Sequence, residues 1–174
     1  MEEIFQYDII DQMFYEGYAP KVHNCCYGGF RWSKDAEDIM RELQKTMSYK
    51  TQPLSFFKDM NIQISFINAK VITYLERNQI EHSGKYSQLD FSFVKMEYYD
   101  SIDVQEYDGN EYLEFNFDRY FRKTTLDIIK DLSLFDDQKI EAIKNIKEED
   151  IQKVIIDREE VTLEQSNLPP VVKL

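Results

Sequence analysis

Val-Gln-Glu-Tyr-Asp-Gly-Asn-Glu-Tyr-Leu-Glu-Phe-Asn-Phe, residues 104–117, carries the strongest local signal in the chain. Asp108-Gly109 supplies the two positive φ angles that a tight two-residue hairpin turn needs, and six-residue strands are expected on either side. On the outgoing arm Leu113, Phe115 and Phe117 fall on one face and Tyr112, Glu114 and Asn116 on the other. Such alternation predicts a sheet with one buried and one wet side. Upstream, Leu89, Phe91 and Phe93 alternate with Asp90, Ser92 and Val94, which predicts a half-buried strand with Tyr86 as a candidate extension. A further strand is expected near His23 to Tyr27.

Between these strands the period changes from two to that of a helix. Ser33 can cap a helix whose apolar stripe is Ala36, Ile39, Met40, Leu43 and Met47, with Asp35 at the positive end of its dipole. A second stripe, Ile67, Val71, Tyr74 and Leu75, predicts a helix over about Ile64 to Gln79, ended before Ser83-Gly84. After Lys123 more helices are expected. Thr124 or Thr125 would cap one, Asp136 or Asp137 a second, and Asp150 a further turn, with Val161 to Leu163 as a short edge strand. The fold class that follows is α+β: a small antiparallel or mixed sheet with two helices on one face and a helical C-terminal extension. Its expected organisation is an α+β domain over residues 1–122 with an N-terminal extension, a helical appendage over 123–166 and a mobile tail over 167–174.

Charge is unevenly distributed along the 174 residues. Residues 1–87 hold 12 acidic and 10 basic side chains, residues 88–174 hold 21 and 11, and the total net charge is -12. From Asp90 to Asp118 nine carboxylates face Lys95 alone. That field repels phosphate backbones, which argues against direct nucleic-acid binding, and it suits a protein partner with a basic surface. Glu106, Asp108, Glu111 and Glu114 are the candidate partner-binding residues; the plainer alternative is a solvated face serving solubility. No apolar run approaches the ~18 residues that cross a bilayer. The acidic start Met1-Glu2-Glu3 lacks the basic and apolar regions of a signal peptide, so a soluble, intracellular, non-membrane protein is expected.

The most unusual local string is His23-Asn24-Cys25-Cys26-Tyr27-Gly28-Gly29-Phe30-Arg31-Trp32-Ser33. Paired glycines leading into a helix N-terminus allow an amide-rich anion loop, for which Gly28, Gly29, Arg31 and Ser33 are the candidate ligand-binding residues. The alternative is that the glycines serve backbone geometry and the aromatics packing. Neither the P-loop nor the dinucleotide-binding spacing is present. One of the two cysteines can share a strand face with His23 as a nucleophile and base, but inert buried thiols are the simpler expectation. A zinc site from His23, Cys25, Cys26 and His82 lacks paired ligand spacing, so no metal and no cofactor are expected. No catalytic pair stands out.

Cys26-Tyr27-Gly28-Gly29-Phe30, followed by Ser33 and Ala36, resembles the opening of a family of small uncharacterised proteins of large DNA viruses and some phages, in which C-Y-G-G-F-G-L-S joins a strand to a helix. Asn24 fits that pattern. Gly84 with Tyr86-Ser87-Gln88-Leu89, then Glu106-Tyr107-Asp108-Gly109-Asn110-Glu111-Tyr112, is similar to the family's second half, a strand and an E-Y-D-G-x-E-W string. The resemblance spans about Val22 to Tyr112, with Arg31-Trp32 in place of Gly-Leu and Tyr112 in place of Trp. It implies an α+β fold and a viral protein acting in the host cytoplasm or viral factory, and no particular reaction. With the acidity, it points to a non-enzymatic viral accessory protein that binds another macromolecule. Two alternatives are an enzyme or binder of a phosphate-bearing small molecule at the Gly28-Gly29 loop, and a structural component of the virion or replication factory.

Overall fold

The computed structural model describes residues 2–50 and 60–165, and the tail expected at 167–174 lies outside them. After a short 3-10 turn, Glu2–Phe5, the order is α1 Ile9–Tyr15, β1 Tyr18–Asn24, α2 Lys34–Lys50, α3 Met60–Arg77 and β2 Leu89–Lys95. A 3-10 segment Met96–Ser101 leads to β3 Ile102–Tyr107 and β4 Asn110–Phe115, then α4 Phe117–Lys130, α5 Asp136–Lys144, β5 Ile155–Asp157 and α6 Arg158–Gln165. The fold is α+β. One antiparallel sheet has the order β1-β2-β5, and the β3-β4 hairpin is a separate two-stranded sheet.

The hairpin forms as its turn dipeptide requires, with Asp108 at φ +52° and Gly109 at φ +84° joining two six-residue strands. Strand β4 stops at Phe115, because Asn116, still extended, caps α4, its Oδ1 accepting from the Arg119 amide at 2.9 Å. Phe117 therefore begins a helix instead of continuing the strand, and Thr124 and Thr125 lie inside it. The next helix begins beside Asp136 as expected, but Phe135 occupies the cap position and its amide donates to Gln138 Oε1. Val161 is helical, in α6, and the third strand is Ile155–Asp157 just before it.

Strand β2 is paired on both edges and covered on both faces: Ser92 and Val94 are as enclosed as Phe91 and Phe93. A half-buried strand is the signature of a sheet with one wet side; here the hairpin covers part of the second side. Tyr86 does not extend β2, since it sits at φ +66° in an exposed turn. On the first face α3 and α1 pack Phe66, Ala69, Ile72, Ile10 and Met13 against Leu89, Phe91 and Phe93. Helix α2 lies behind α3, where Ala36 and Leu43 meet Val71 and Leu75 with Ile4. Helix α3 is thus buried on two sides. On the second face Leu113 and Phe115 of the hairpin pack with Ala19, Val94, Tyr98 and Tyr99. Each large side chain so enclosed contributes about 1.5–3 kcal/mol.

The first residues are part of this core. Lys70 of α3 is 1% exposed, and its ammonium donates to Gln6 O at 3.0 Å, to Asp8 Oδ1 at 2.8 Å and to Asp11. Asp8 also caps α1, so one buried cation fixes the N-terminal segment and the start of its helix.

Candidate functional site

The distant strings that stand out in the sequence meet around one side chain. Asn24, fully buried at the end of β1, donates from Nδ2 to Cys26 O at 2.5 Å and to Gly109 O at 2.6 Å. Its Oδ1 accepts from the Gln88 amide at 2.9 Å, and its backbone amide donates to Glu111 Oε2 at 2.8 Å. All the amide's donors and its carbonyl are used, so Asn24 holds the Cys26–Gly29 loop, the turn before Leu89 and the hairpin tip together. The loops then pack too closely for side chains. A Cβ on Gly28 would lie 1.0 Å from the Tyr86 carbonyl oxygen, and one on Gly109 would lie 2.5 Å from that of Tyr27.

That packing decides what the glycine loop does. Gly28 lies against Tyr86, and the Gly29 amide nitrogen lies 2.9 Å from where a Gly109 Cβ would stand. Arg31 keeps its side chain exposed while its carbonyl accepts from the Gly84 amide and from Ser87 Oγ. Ser33 Oγ accepts from the Ala36 amide at 3.1 Å, a cap on α2. The four residues do not converge on a common cleft. Gly28 serves the approach of one backbone to another, whereas Gly29 has open space where a side chain would stand and supplies a positive φ of +76°.

Beneath the hairpin tip a cleft of about 330 Å³ opens over the polar end of the second sheet face, lined by His23, Ser92, Asp157, Glu111, Tyr112 and Glu160 among others. Ser92 Oγ donates to Asp157 Oδ1 at 3.0 Å and lies 3.3 Å from His23 Nε2, while His23 Nδ1 lies 3.8 Å from Cys25 Sγ. Strand alternation places Cys25 beside His23, as expected for one of the two thiols. Neither cysteine is buried, Cys25 being exposed and Cys26 partly so, which corrects the expectation of buried thiols. Burial and the carboxylates of Asp90 and Asp157 push the Cys25 thiol up to about 11, and burial lowers His23 despite Asp90, Glu111 and Asp157. A protonated thiol beside a neutral imidazole is a poor nucleophile. Among the described residues no group of three or more His, Cys, Asp or Glu side chains is placed to hold a metal ion.

Folding also redistributes the acidic stretch. Arg158 pairs with Asp90 at 3.2 Å, Lys95 with Glu97 at 3.3 Å, Lys123 with Asp100 and Arg119 with Asp103, both at 2.5 Å. Glu106, Asp108, Glu111 and Glu114 have no ion pair among the described residues. Glu106 stands directly opposite Glu111, and Glu114 opposite Asp103, two like-charge cross-strand pairs on one hairpin. Glu111 turns in to the Asn24 amide, Glu114 accepts from Gln105 Nε2 at 3.0 Å, and Glu106 and Asp108 stay exposed. Tyrosines surround them: Tyr107 and Tyr112 on the wet face, Tyr27 and Tyr86 on the loops packed against the tip, each between 53% and 75% exposed. Tyrosine at these positions has no helical or strand periodicity of its own, so only the turn signals that bring the loops together hinted at the cluster.

No helix among the described residues is long and apolar enough to cross a membrane. Compared with known proteins, the chain matches no family model, no curated protein and no solved structure.

Proposed function

We propose that this chain is a non-enzymatic binding protein whose hairpin tip docks a protein with a basic, arginine-rich surface. The observation that carries it is the selective quenching of the acidic stretch: Asp90, Glu97, Asp100 and, at the base of the hairpin, Asp103 acquire cationic partners, whereas Glu106, Asp108, Glu111 and Glu114 do not. Glu106 against Glu111 is a standing repulsion of a few tenths of a kcal/mol or more that an incoming guanidinium would relieve. The exposed tyrosines supply rigid aromatic area of the kind enriched in binding hot spots, with π-faces that attract arginine. Viral origin and action inside the host cell are part of the same proposal and rest on the resemblance alone.

A photo-crosslinking amino acid in place of Tyr112, installed in the full chain in infected cells, identifies the partner. Surface plasmon resonance then compares wild type with an Asp108→Asn, Glu114→Gln variant at two salt concentrations. The expected result is slower association in the variant, mimicked by salt in wild type, because exposed charges act over about 8 to 10 Å before screening. Tyr107→Ala, by contrast, should speed dissociation. Identical association rates in all four conditions would remove the acidic hairpin as the docking site.

A further inference from the structure

A second site, apart from the hairpin tip, lies along the edge of β1. A cavity of about 420 Å³, within the size range of small-ligand sites, opens between α3 on one wall and the segment from Tyr99 to Ile102 on the other. Both walls are pinned to the edge strand: the Val22 amide donates to Ser65 Oγ at 3.3 Å, and the Tyr99 hydroxyl donates to Pro20 O at 3.2 Å. The α3 wall is Asn61, Ile64, Ser65 and Asn68. These fall at i, i+3, i+4 and i+7, the spacing of a single helix face, and a face turned to the rest of the protein is ordinarily apolar. Three of the four are polar here. The Asn68 side chain is partly buried, yet it has no hydrogen bond among the described residues. The remaining polar lining is Asp100, which also pairs with Lys123, and Lys21, whose ammonium lies 4.7 Å from the centre of the Tyr99 ring and 3.4 Å from Ile102 O. Phe30 adds an aromatic ring, 40% exposed and braced edge-on by Trp32 with ring centres 5.6 Å apart.

We infer that this cavity binds a neutral hexopyranose ring. Its lining selects such a ligand over other small molecules. Lys21 and Asp100 carry opposite charges, and the chain as a whole, at -12, opposes an anion. A purely apolar ligand would take the Asn61 and Asn68 amides and the Asp100 carboxylate out of water without replacing their hydrogen bonds. A sugar ring replaces them. Each of its hydroxyls both donates and accepts, and a carboxamide, with a carbonyl and an N–H group side by side, matches two neighbouring hydroxyls. The polar groups come from opposed walls, as hydroxyls radiating around a ring require, whereas a flat nucleobase presents its polar edge in one plane. The C–H face of a sugar is apolar and packs on an aromatic ring from one side. Phe30 is the ring exposed for it, since the Lys21 ammonium already lies over Tyr99. With both walls fixed to β1, little ordering accompanies binding.

Titration of the isotope-labelled full chain with the methyl glycosides of glucose, galactose and mannose, followed by two-dimensional NMR, tests it. The expected result is a saturable shift of the Asn68 side-chain amide and of the Lys21, Val22 and Ser65 backbone amides for at least one glycoside, with a dissociation constant on the order of millimolar. Asn68→Ala should weaken that binding roughly tenfold, and Phe30→Ala should weaken it by a similar factor. Neither side chain is fully buried, so circular dichroism and the unfolding midpoint of both variants should stay close to wild type. Uridine, acetate and glycerol at the same concentrations stand for a base, an anion and an unspecific polyol. No saturable shift with any glycoside, equal shifts from glycerol, tighter binding of uridine or acetate in the same cavity, or an affinity unchanged by Asn68→Ala overturns the inference. The Asp108→Asn, Glu114→Gln variant should bind the glycoside as wild type does, so failure here is separable from failure of the partner site.

Discussion

Lys70 is the residue at which the balance between burial and charge is sharpest. Its ammonium is enclosed with the carboxylates of Asp8 and Asp11, so removing it leaves the buried Asp8 with only the partly exposed Arg77, 3.4 Å away, and the partly buried Asp11 with no cation. Lys70→Met preserves the stem's packing and removes only the charge. The expected cost in urea unfolding is about 3–5 kcal/mol, the usual result of stranding one side of a buried ion pair. Cys25 offers the opposite test, of a group the structure makes inert. With its thiol raised to about 11, the thiolate is scarce at neutral pH, while the basicity that suppresses it raises its intrinsic nucleophilicity. In a Cys26→Ala background the net expectation is reaction with a disulfide reagent on the order of tenfold slower than free cysteine at pH 7. Reaction faster than free cysteine would revive the thiol as a nucleophile.

At the scale of elements the hairpin is both the clearest sequence signal and a clamp. Gly109 is required twice, once for its positive φ and once because the Tyr27 carbonyl occupies the space of a side chain. Gly109→Ala should therefore cost about 2 kcal/mol in chemical denaturation, whereas Asp108→Asn, which tolerates the same region of φ, should stay within about 0.5 kcal/mol. Equal effects would mean that the turn yields freely at both positions. The hairpin was legible because its turn chemistry and its alternation agree over twelve residues. The start of α4 was not, since Phe115-Asn116-Phe117 continues the alternation and the cap signal of Asn116 with Asp118 was hidden inside it. Strand β5 was missed for a related reason: three residues are too few to show a period, and pairing with β2 is what makes them a strand.

Across the whole molecule the second sheet face holds one histidine that burial keeps neutral. Its proton affinity in the folded protein lies below the ordinary 6.5, so the unfolded chain binds the proton first as pH falls. The contribution to stability is complete above 6.5, declines as pH drops below it, and is gone once pH has passed through the lowered folded value. Thermal melts from pH 8 to pH 5.5 should therefore show a steeper loss in wild type than in His23→Gln. Parallel curves would take His23 out of the pH dependence.

Local composition determined the α+β class, the capped helix after Ser33 and the hairpin at Asp108-Gly109, because period and cap chemistry act between residues close in the chain. It also marked Asn24, Gly28, Gly84 and Gly109 as unusual strings, without linking them. Which carboxylates stay unpaired was decided only in three dimensions, because Arg119, Lys123 and Arg158 reach Asp103, Asp100 and Asp90 from elements that the linear charge count places outside the acidic stretch. The same holds for the N-terminal residues: nothing near Asp8 in the sequence announces that the cation it needs is Lys70, sixty-two positions away, since a buried charge selects its partner by proximity in the fold.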